Sequence, residues 1–333
     1  MNLARADQIA KAVLYEGYML YPYRPSSVKN RQRWNFGVLY PCAYSEAQGN
    51  EEPCSMQTEC LISGNSSSVV EVAMRFLQLQ TRSTHSSTEA DNALPDGWQE
   101  AVEREINLPE YTVEMLCRES LSHAFRFPYQ TQVDSDHSAN GERVATIWHR
   151  QEAIEGRIDL SAQKVGEEVF KVCVHVRNLT PLESAVANRN AALMHALVST
   201  HTVLGVKEGE FVSLLEPPVE LQNLVAQCQN VGAWPVLVGD PGQRDTLLAS
   251  PIILYDYPQI APESAGDLFD GTEIDEILSL RILTLTDEEK REIRQSDNRA
   301  RQILDRTEAM PAEQFMKLHG AVRGLRPLKE ETP

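Results

Sequence analysis

Apolar positions recur at helical spacing near the start of the chain, where Ile9, Ala12, Val13 and Tyr15 predict a helix over residues 4–20. Pro22 and Pro25 cannot continue it, because each lacks a donor and restricts its predecessor. Residues 33–40 alternate and predict a strand, and residues 43–55 read as a polar loop. Two strands are expected next, over 56–62 and 69–80. In the second, Val70, Val72, Met74 and Phe76 share one face, while Glu71, Ala73 and Arg75 share the other. The alternation shifts at Leu77: Leu77 and Leu79 are apolar, Gln78 and Gln80 polar. A bulge or a strand end is expected there.

Residues 81–97 are rich in Ser, Thr, Asn and Asp and read as a loop. Residues 98–106 (WQEAVEREI) read as a short amphipathic helix. Residues 111–127 fit a strand or a short helix equally, and residues 130–142 read as a second polar loop. Three successive strands are expected over 144–148, 153–161 and 168–178. In the last, Phe170, Val172, Val174 and Val176 form the apolar face opposite Val169, Lys171, Cys173, His175 and Arg177. An Ala-rich helix is expected over 184–201, a hairpin over 203–215 around Lys207-Glu208-Gly209, and strands over 234–239 and 252–257 separated by an Asp240-Pro241-Gly242 turn. Residues 258–276 are irregular and acidic, residues 277–285 read as a last strand, and a helix is expected over 286–308. Thr286 and Glu289 have the spacing of a capping box at its start. The elements together predict an α+β fold: an antiparallel β-rich, sandwich-like core with an N-terminal helix and a long C-terminal helix. The expected regions are an N-terminal β-rich part with its leading helix (1–140), a β-sandwich-like part (141–285) and the C-terminal helix and tail (286–333), with one continuous unit as the alternative.

Charge narrows the function classes. Lys plus Arg number 31 against 48 Asp plus Glu, a net charge of −17 over 333 residues. A polyanion such as nucleic acid would be repelled, whereas basic protein partners are favoured. No apolar run reaches the length of a membrane span, and residues 1–20 lack a secretory signal, so the expected location is the cytoplasm. The six cysteines form no CxxC pair, which speaks against a zinc ribbon or a thioredoxin-type site.

Against this acidic background residues 15–40 stand out. They hold seven aromatic residues, and the cations Arg24, Lys29, Arg31 and Arg33 with no acid between Glu16 and Glu46. Tyr21, Tyr23, Arg24, Lys29, Arg31 and Arg33 could together hold a phosphate or a carboxylate. The plainer reading, which the composition favours, is a cationic and aromatic seam that locks the N-terminus onto the fold. Asp256, Glu263, Asp267, Asp270, Glu273, Asp275 and Glu276 form an acidic stretch suited to a protein partner, without the spacing of an EF-hand calcium loop. Cys42, Cys54 and Cys60 form a loose cluster with a metal-handling reading. The eight histidines contain neither HExxH nor HxH, and Cys117 with His123 in one segment invites a Cys–His catalytic reading. There is no GxSxG, Walker or GxGxxG motif, and no cofactor is indicated.

Several longer segments carry a resemblance: LYEGYMLYPYRPSSVKNRQRW, NVGAWPVLVG, SPIILYDYPQIAPESAGDLFDGTEIDEILSLRILTLTDEEKREIRQSD and the RAR that follows. They resemble an uncharacterised family of bacterial proteins encoded in the gene clusters of high-affinity, oxygen-tolerant nickel–iron hydrogenases. The resemblance covers both ends and most of the second half of the chain. It implies a role in assembly, maturation or regulation of the hydrogenase, with a hydrogenase subunit or maturation factor as partner. It supplies no catalytic residues. The expectation is therefore an accessory protein that acts by protein–protein binding. An anion-binding enzyme or small-ligand binder using the 21–33 segment is the first alternative, and a metal handler using the cysteine cluster the second.

Overall fold

The computed structural model describes residues 9–10, 14, 36–86, 98–137, 143–182, 188–259, 282–295, 298–309 and 311. Six short α-helices are described: α1 (Cys42–Ala47), α2 (Val113–Arg118), α3 (Arg189–Leu193), α4 (Gln222–Val225), α5 (Asp287–Gln295) and α6 (Asn298–Glu308). The strands are β1 (Ser55–Ser86), β2 (Trp98–Asn107), β3 (Tyr111–Thr112), β4 (Leu121–Phe127), β5 (Gln130–His137), β6 (Arg143–Gln151), β7 (Ile154–Lys164), β8 (Val169–Asn178), β9 (Val198–Phe211), β10 (Trp234–Leu237) and β11 (Thr246–Ser250). All belong to one antiparallel sheet of 11 strands. The expected α+β sandwich with a long C-terminal helix is thus replaced by a single β-dominated sheet with short helices around it.

β1 organises that sheet. It is 32 residues long, several times an ordinary strand. Along one edge it pairs with β8, β3 and β2 in turn, and along the other with β9 and then β6. The two strands expected over 56–62 and 69–80 are therefore one, and the sheet's pairing runs across residue 140. The interruption between them is a bulge, where the register with β9 jumps from Gly64 to Val69. Asn65 Oδ1 accepts the Ser67 amide at 2.8 Å, and Ser68 Oγ accepts the Asn65 amide at 3.0 Å. Polar side chains thus occupy the backbone that leaves the ladder. A Cβ on Gly64 would lie 3.2 Å from Gly209 Cα, so the glycines permit the close pass of β1 and β9. The segment expected as a hairpin around Lys207-Glu208-Gly209 is instead uninterrupted β9, with Glu208 taking the left-handed turn at the bulge (φ 54°).

The second expected irregularity, at Leu77, is present: the register shifts between Arg75 and Leu77. Before it, Val70, Val72, Met74 and Phe76 face the main core, with Phe170, Val172, Val174 and Val176 of β8 and with Val113 and Leu116 of α2. Phe76 meets Phe125 and Phe127 of β4 at ring-centroid distances of 6.3 and 5.7 Å. On the hydrogen-bonded path β4 lies beyond β8 and β7, so the sheet curls far enough to bring its β4 edge over β1. Leu77 and Leu79 point to a second core with Tyr40, Tyr44, Val198, Ile282, Ile293 and Leu304. Both faces of β1 are thereby covered, which blurs the simple alternation of a half-buried strand. Ile9, Ala10 and Leu14, the described part of the expected N-terminal helix, are helical and buried against the second and third apolar clusters.

Several expectations are corrected by pairing partners that local pattern does not reveal. Residues 98–106 form β2 rather than a helix, because β1 offers an open ladder from Ala73 to Arg82. Residues 130–137 form β5 rather than a loop, held by β6. Residues 43–47 belong to α1, not to a loop. Among the described residues the Ala-rich stretch is helical over Arg189–Leu193, and it enters β9 at Val198. The strand beside β10 is Thr246–Ser250, and residues 252–257 are irregular. Of the expected strand over 33–40, Leu39 makes one bridge to Leu197, and residues 33–35 lie outside the described part. Residues 111–127 contain both readings: β3, then α2 capped by Thr112 Oγ1 on the Met115 amide, then β4.

The C-terminal helix is two helices. The capping box is formed: Thr286 N donates to Glu289 Oε2 at 2.8 Å, and Glu289 N to Thr286 Oγ1 at 3.2 Å. Lys290 Nζ, however, sits 3.1 Å from Glu308 Oε1. Residues 18 apart on a straight helix would be separated by about 27 Å, so α6 must fold back along α5. Residues 282–285, expected as the end of a strand, lead into α5 as a helical turn. No described helix is long and apolar enough to cross a membrane.

Candidate functional site

The face of β1 that is apolar through Phe76 becomes polar at Gln78, Gln80 and Arg82. The pleat puts these three on one side, and cross-strand pairing adds neighbours: Gln80 stands opposite Glu100 of β2 and Gln151 of β6, and Arg82 opposite His149. Arg104, opposite Phe76, completes the group. The sheet thus presents a half-buried polar patch where its apolar core stops.

Gln78 has no exposed surface, and both ends of its amide are engaged. Nε2 donates to the Glu152 carbonyl at 2.8 Å, and Oε1 accepts from Arg104 Nε at 2.7 Å. Gln151 Oε1 accepts from Arg104 Nη2 at 2.7 Å, and Gln151 Nε2 donates to Gln80 Oε1 at 2.8 Å. Gln80 Nε2 then donates to Glu100 Oε2 at 2.9 Å and lies 3.2 Å from His149 Nδ1. His149 stands between two carboxylates, Glu100 at 3.4 Å and Asp134 of β5 at 3.5 Å. Arg82 Nη1 is 3.7 Å from Glu100. Three strands therefore share one network of hydrogen bonds, which β5 joins through the His149–Asp134 ion contact, and the network fixes each member more firmly than any isolated pair would.

The charges are not evenly matched. Glu100 lies beside Arg82 and His149, but no carboxylate among the described residues pairs with Arg104. Its guanidinium rests on two neutral amide oxygens and over the Phe127 ring, 4.8 Å from the centroid. Burial pulls its pKa below the ordinary arginine value. A guanidinium has five N–H donors, and the two amides engage two of them. The arrangement holds a partly desolvated cation in place with donors to spare, which is the chemistry of carboxylate or phosphate capture.

The residues singled out in the sequence are not among those described around Arg104. Tyr21, Tyr23, Arg24, Lys29, Arg31 and Arg33 fall outside the described residues, as do Glu263, Asp267, Asp270, Glu273, Asp275 and Glu276. Asp256 is described, and its oxygens accept from Ser213 Oγ at 2.5 Å and from the Leu237 amide at 2.7 Å, tying the 213–216 turn to β10. The cysteine cluster divides: Cys42 and Cys54 touch, while Cys60 is fully buried in the main core. No group of three or more His, Cys, Asp or Glu side chains among the described residues is placed to hold a metal ion. His123 Nε2 is 3.0 Å from the Tyr111 hydroxyl, and burial pushes the Cys117 thiol up, away from the reactive thiolate. The patch around Arg104 was missed because its members come from residues 78–82, 100–104, 134 and 149–151. Its one local signal was the pair of glutamines that breaks the apolar face at Leu77.

No family model matches the chain, and no curated protein matches it.

Proposed function

We propose that this protein is an accessory factor that works by binding, and that the polar patch around Arg104 receives an anionic group of its partner. The observation carrying the reading is the Arg104 guanidinium, half-buried, positioned by Gln78 and Gln151, and without a carboxylate partner among the described residues. Burying a cation and then giving it only neutral acceptors costs stability unless a ligand uses the charge. The resemblance of the terminal and second-half segments supplies the setting: assembly, maturation or regulation of a nickel–iron hydrogenase, with a hydrogenase subunit or maturation factor as partner. A net charge of −17 suits a partner that is basic overall, drawn in by the field and then held at one acidic or phosphorylated point.

The test is genetic. In a host carrying the hydrogenase gene cluster, deletion of this gene should lower hydrogenase activity, and the wild-type gene should restore it. Arg104→Gln, produced at the same level, should fail to restore it. Unchanged hydrogenase activity in the deletion strain would remove the setting. Full rescue by Arg104→Gln would remove the site.

A further inference from the structure

Cys42 opens α1, Cys54 precedes β1, and the segment between them returns to bring their sulfurs 2.7 Å apart, with Cys42 Sγ donating to Cys54 Sγ. The backbone holds the pair there. The Tyr40 amide donates to the Pro53 carbonyl at 2.8 Å, and the Asn178 amide to the Cys54 carbonyl at 3.0 Å. Within that segment, Ser45 Oγ donates to the Glu52 carbonyl at 2.5 Å, and the Asn50 amide to the Ser45 carbonyl at 2.8 Å. From outside, Arg189 pairs with Glu52 at 2.9 Å and stacks on the Tyr40 ring at 5.6 Å. Each element flanking the two cysteines is thus fixed independently of them. Both sulfur-bearing residues are partly exposed, unlike Cys60.

We propose that Cys42 and Cys54 form a thiol–disulfide exchange site whose substrate is a low-molecular-weight disulfide, and that the product is an intramolecular Cys42–Cys54 bond. The Cys54 sulfur, which receives the Cys42 S–H, loses its proton and attacks one sulfur of R–S–S–R. A Cys54–S–S–R bond forms, and R–S⁻ leaves and takes up that proton. Cys42 then loses its own proton and attacks the Cys54 sulfur. The Cys42–S–S–Cys54 bond forms, and the second R–S⁻ leaves as R–SH. Two electrons pass from the cysteine pair to the external disulfide, and the two thiol protons end on two molecules of R–SH. Burial and the contact with Cys54 push the Cys42 thiol up to about 12, so its thiolate is scarce and it makes the second, intramolecular attack, where proximity offsets that scarcity. Cys117 is exposed and has no cysteine placed to resolve a mixed disulfide on it, so it serves as an internal comparison.

The folded full-length protein, incubated with oxidised glutathione and then alkylated, is mapped by peptide mass spectrometry. The expected product is a cross-linked pair of peptides carrying Cys42 and Cys54, lighter by two hydrogens and without glutathione. Dithiothreitol should return both thiols to alkylation. Cys42→Ser should instead accumulate glutathione at Cys54, because the resolving step is gone. Full alkylation of Cys42 and Cys54 after the oxidant would overturn the proposal. Stable glutathione adducts on both in the wild type, or cross-links chiefly to other cysteines, would overturn it as well. The wild-type map alone decides the matter should the serine variant fail to fold.

Discussion

His201 lies on β9 with no exposed surface, its Nδ1 donating to the Ser199 carbonyl at 2.9 Å. Burial drives its pKa down from 6.5 to about 4, with Arg75 adding to the effect. Below pH 6.5 the unfolded histidine takes up a proton that the folded one refuses until about pH 4. Stability should therefore fall as pH falls through that window, by up to about 3 kcal/mol, and be unaffected by this residue above it. Urea denaturation of the wild type and of His201→Gln at pH 7 and at pH 4.5 checks this; a pH dependence as steep in the variant as in the wild type would contradict it. Gly156 makes a steric counterpart. A Cβ there would lie 2.2 Å from Phe125 Cζ on the paired strand and 2.8 Å from the Arg177 carbonyl. Gly156→Ala should lose about 1–3 kcal/mol through overpacking. Denaturation midpoints would show it, and a loss under a few tenths would mean that Phe125 swings away freely.

Element by element, the sequence was legible where one partner sufficed. β8 reads as alternating apolar and polar residues because one face meets the core and the other does not. The bulge at Leu77 was visible as a change of phase, and the Thr286–Glu289 box as a spacing. β2, β5 and the start of β9 were not legible, since their strand state is imposed by the free edges of β1 and β6. The local Ala-rich and amphipathic signals there give way to ladder hydrogen bonds. The fold-back of α6 on α5 was hidden for the same reason: Arg294 reaches Asp305 at 3.3 Å only after the chain turns. Thr286→Ala removes the acceptor for the Glu289 amide and should destabilise this helical pair by about 1 kcal/mol. Amide hydrogen exchange should show faster opening of α5 and α6 with β1 unchanged. Uniform acceleration throughout the sheet would instead show that the pair and the sheet open together.

Across the whole molecule, a single curled sheet puts an apolar core and a polar patch on the same face of one strand, on either side of residue 77. On the proposed reading, the net negative charge attracts a basic partner over distance and the Arg104 patch fixes one anionic point on it. The site was legible only as two glutamines in an apolar row, because Arg104, His149 and Asp134 come from strands far apart in sequence. Position matters more than charge at Arg104, since its two amide acceptors fit a planar guanidinium and not a flexible ammonium. The most direct measurement is affinity capture from a host that carries a nickel–iron hydrogenase gene cluster, with wild-type, Arg104→Gln and Arg104→Lys proteins as baits and the captured proteins identified by mass spectrometry. The account predicts that the wild type recovers a hydrogenase subunit or maturation factor and that both variants lose it at least tenfold. Equal recovery by all three baits, or no hydrogenase protein with the wild type, would contradict it.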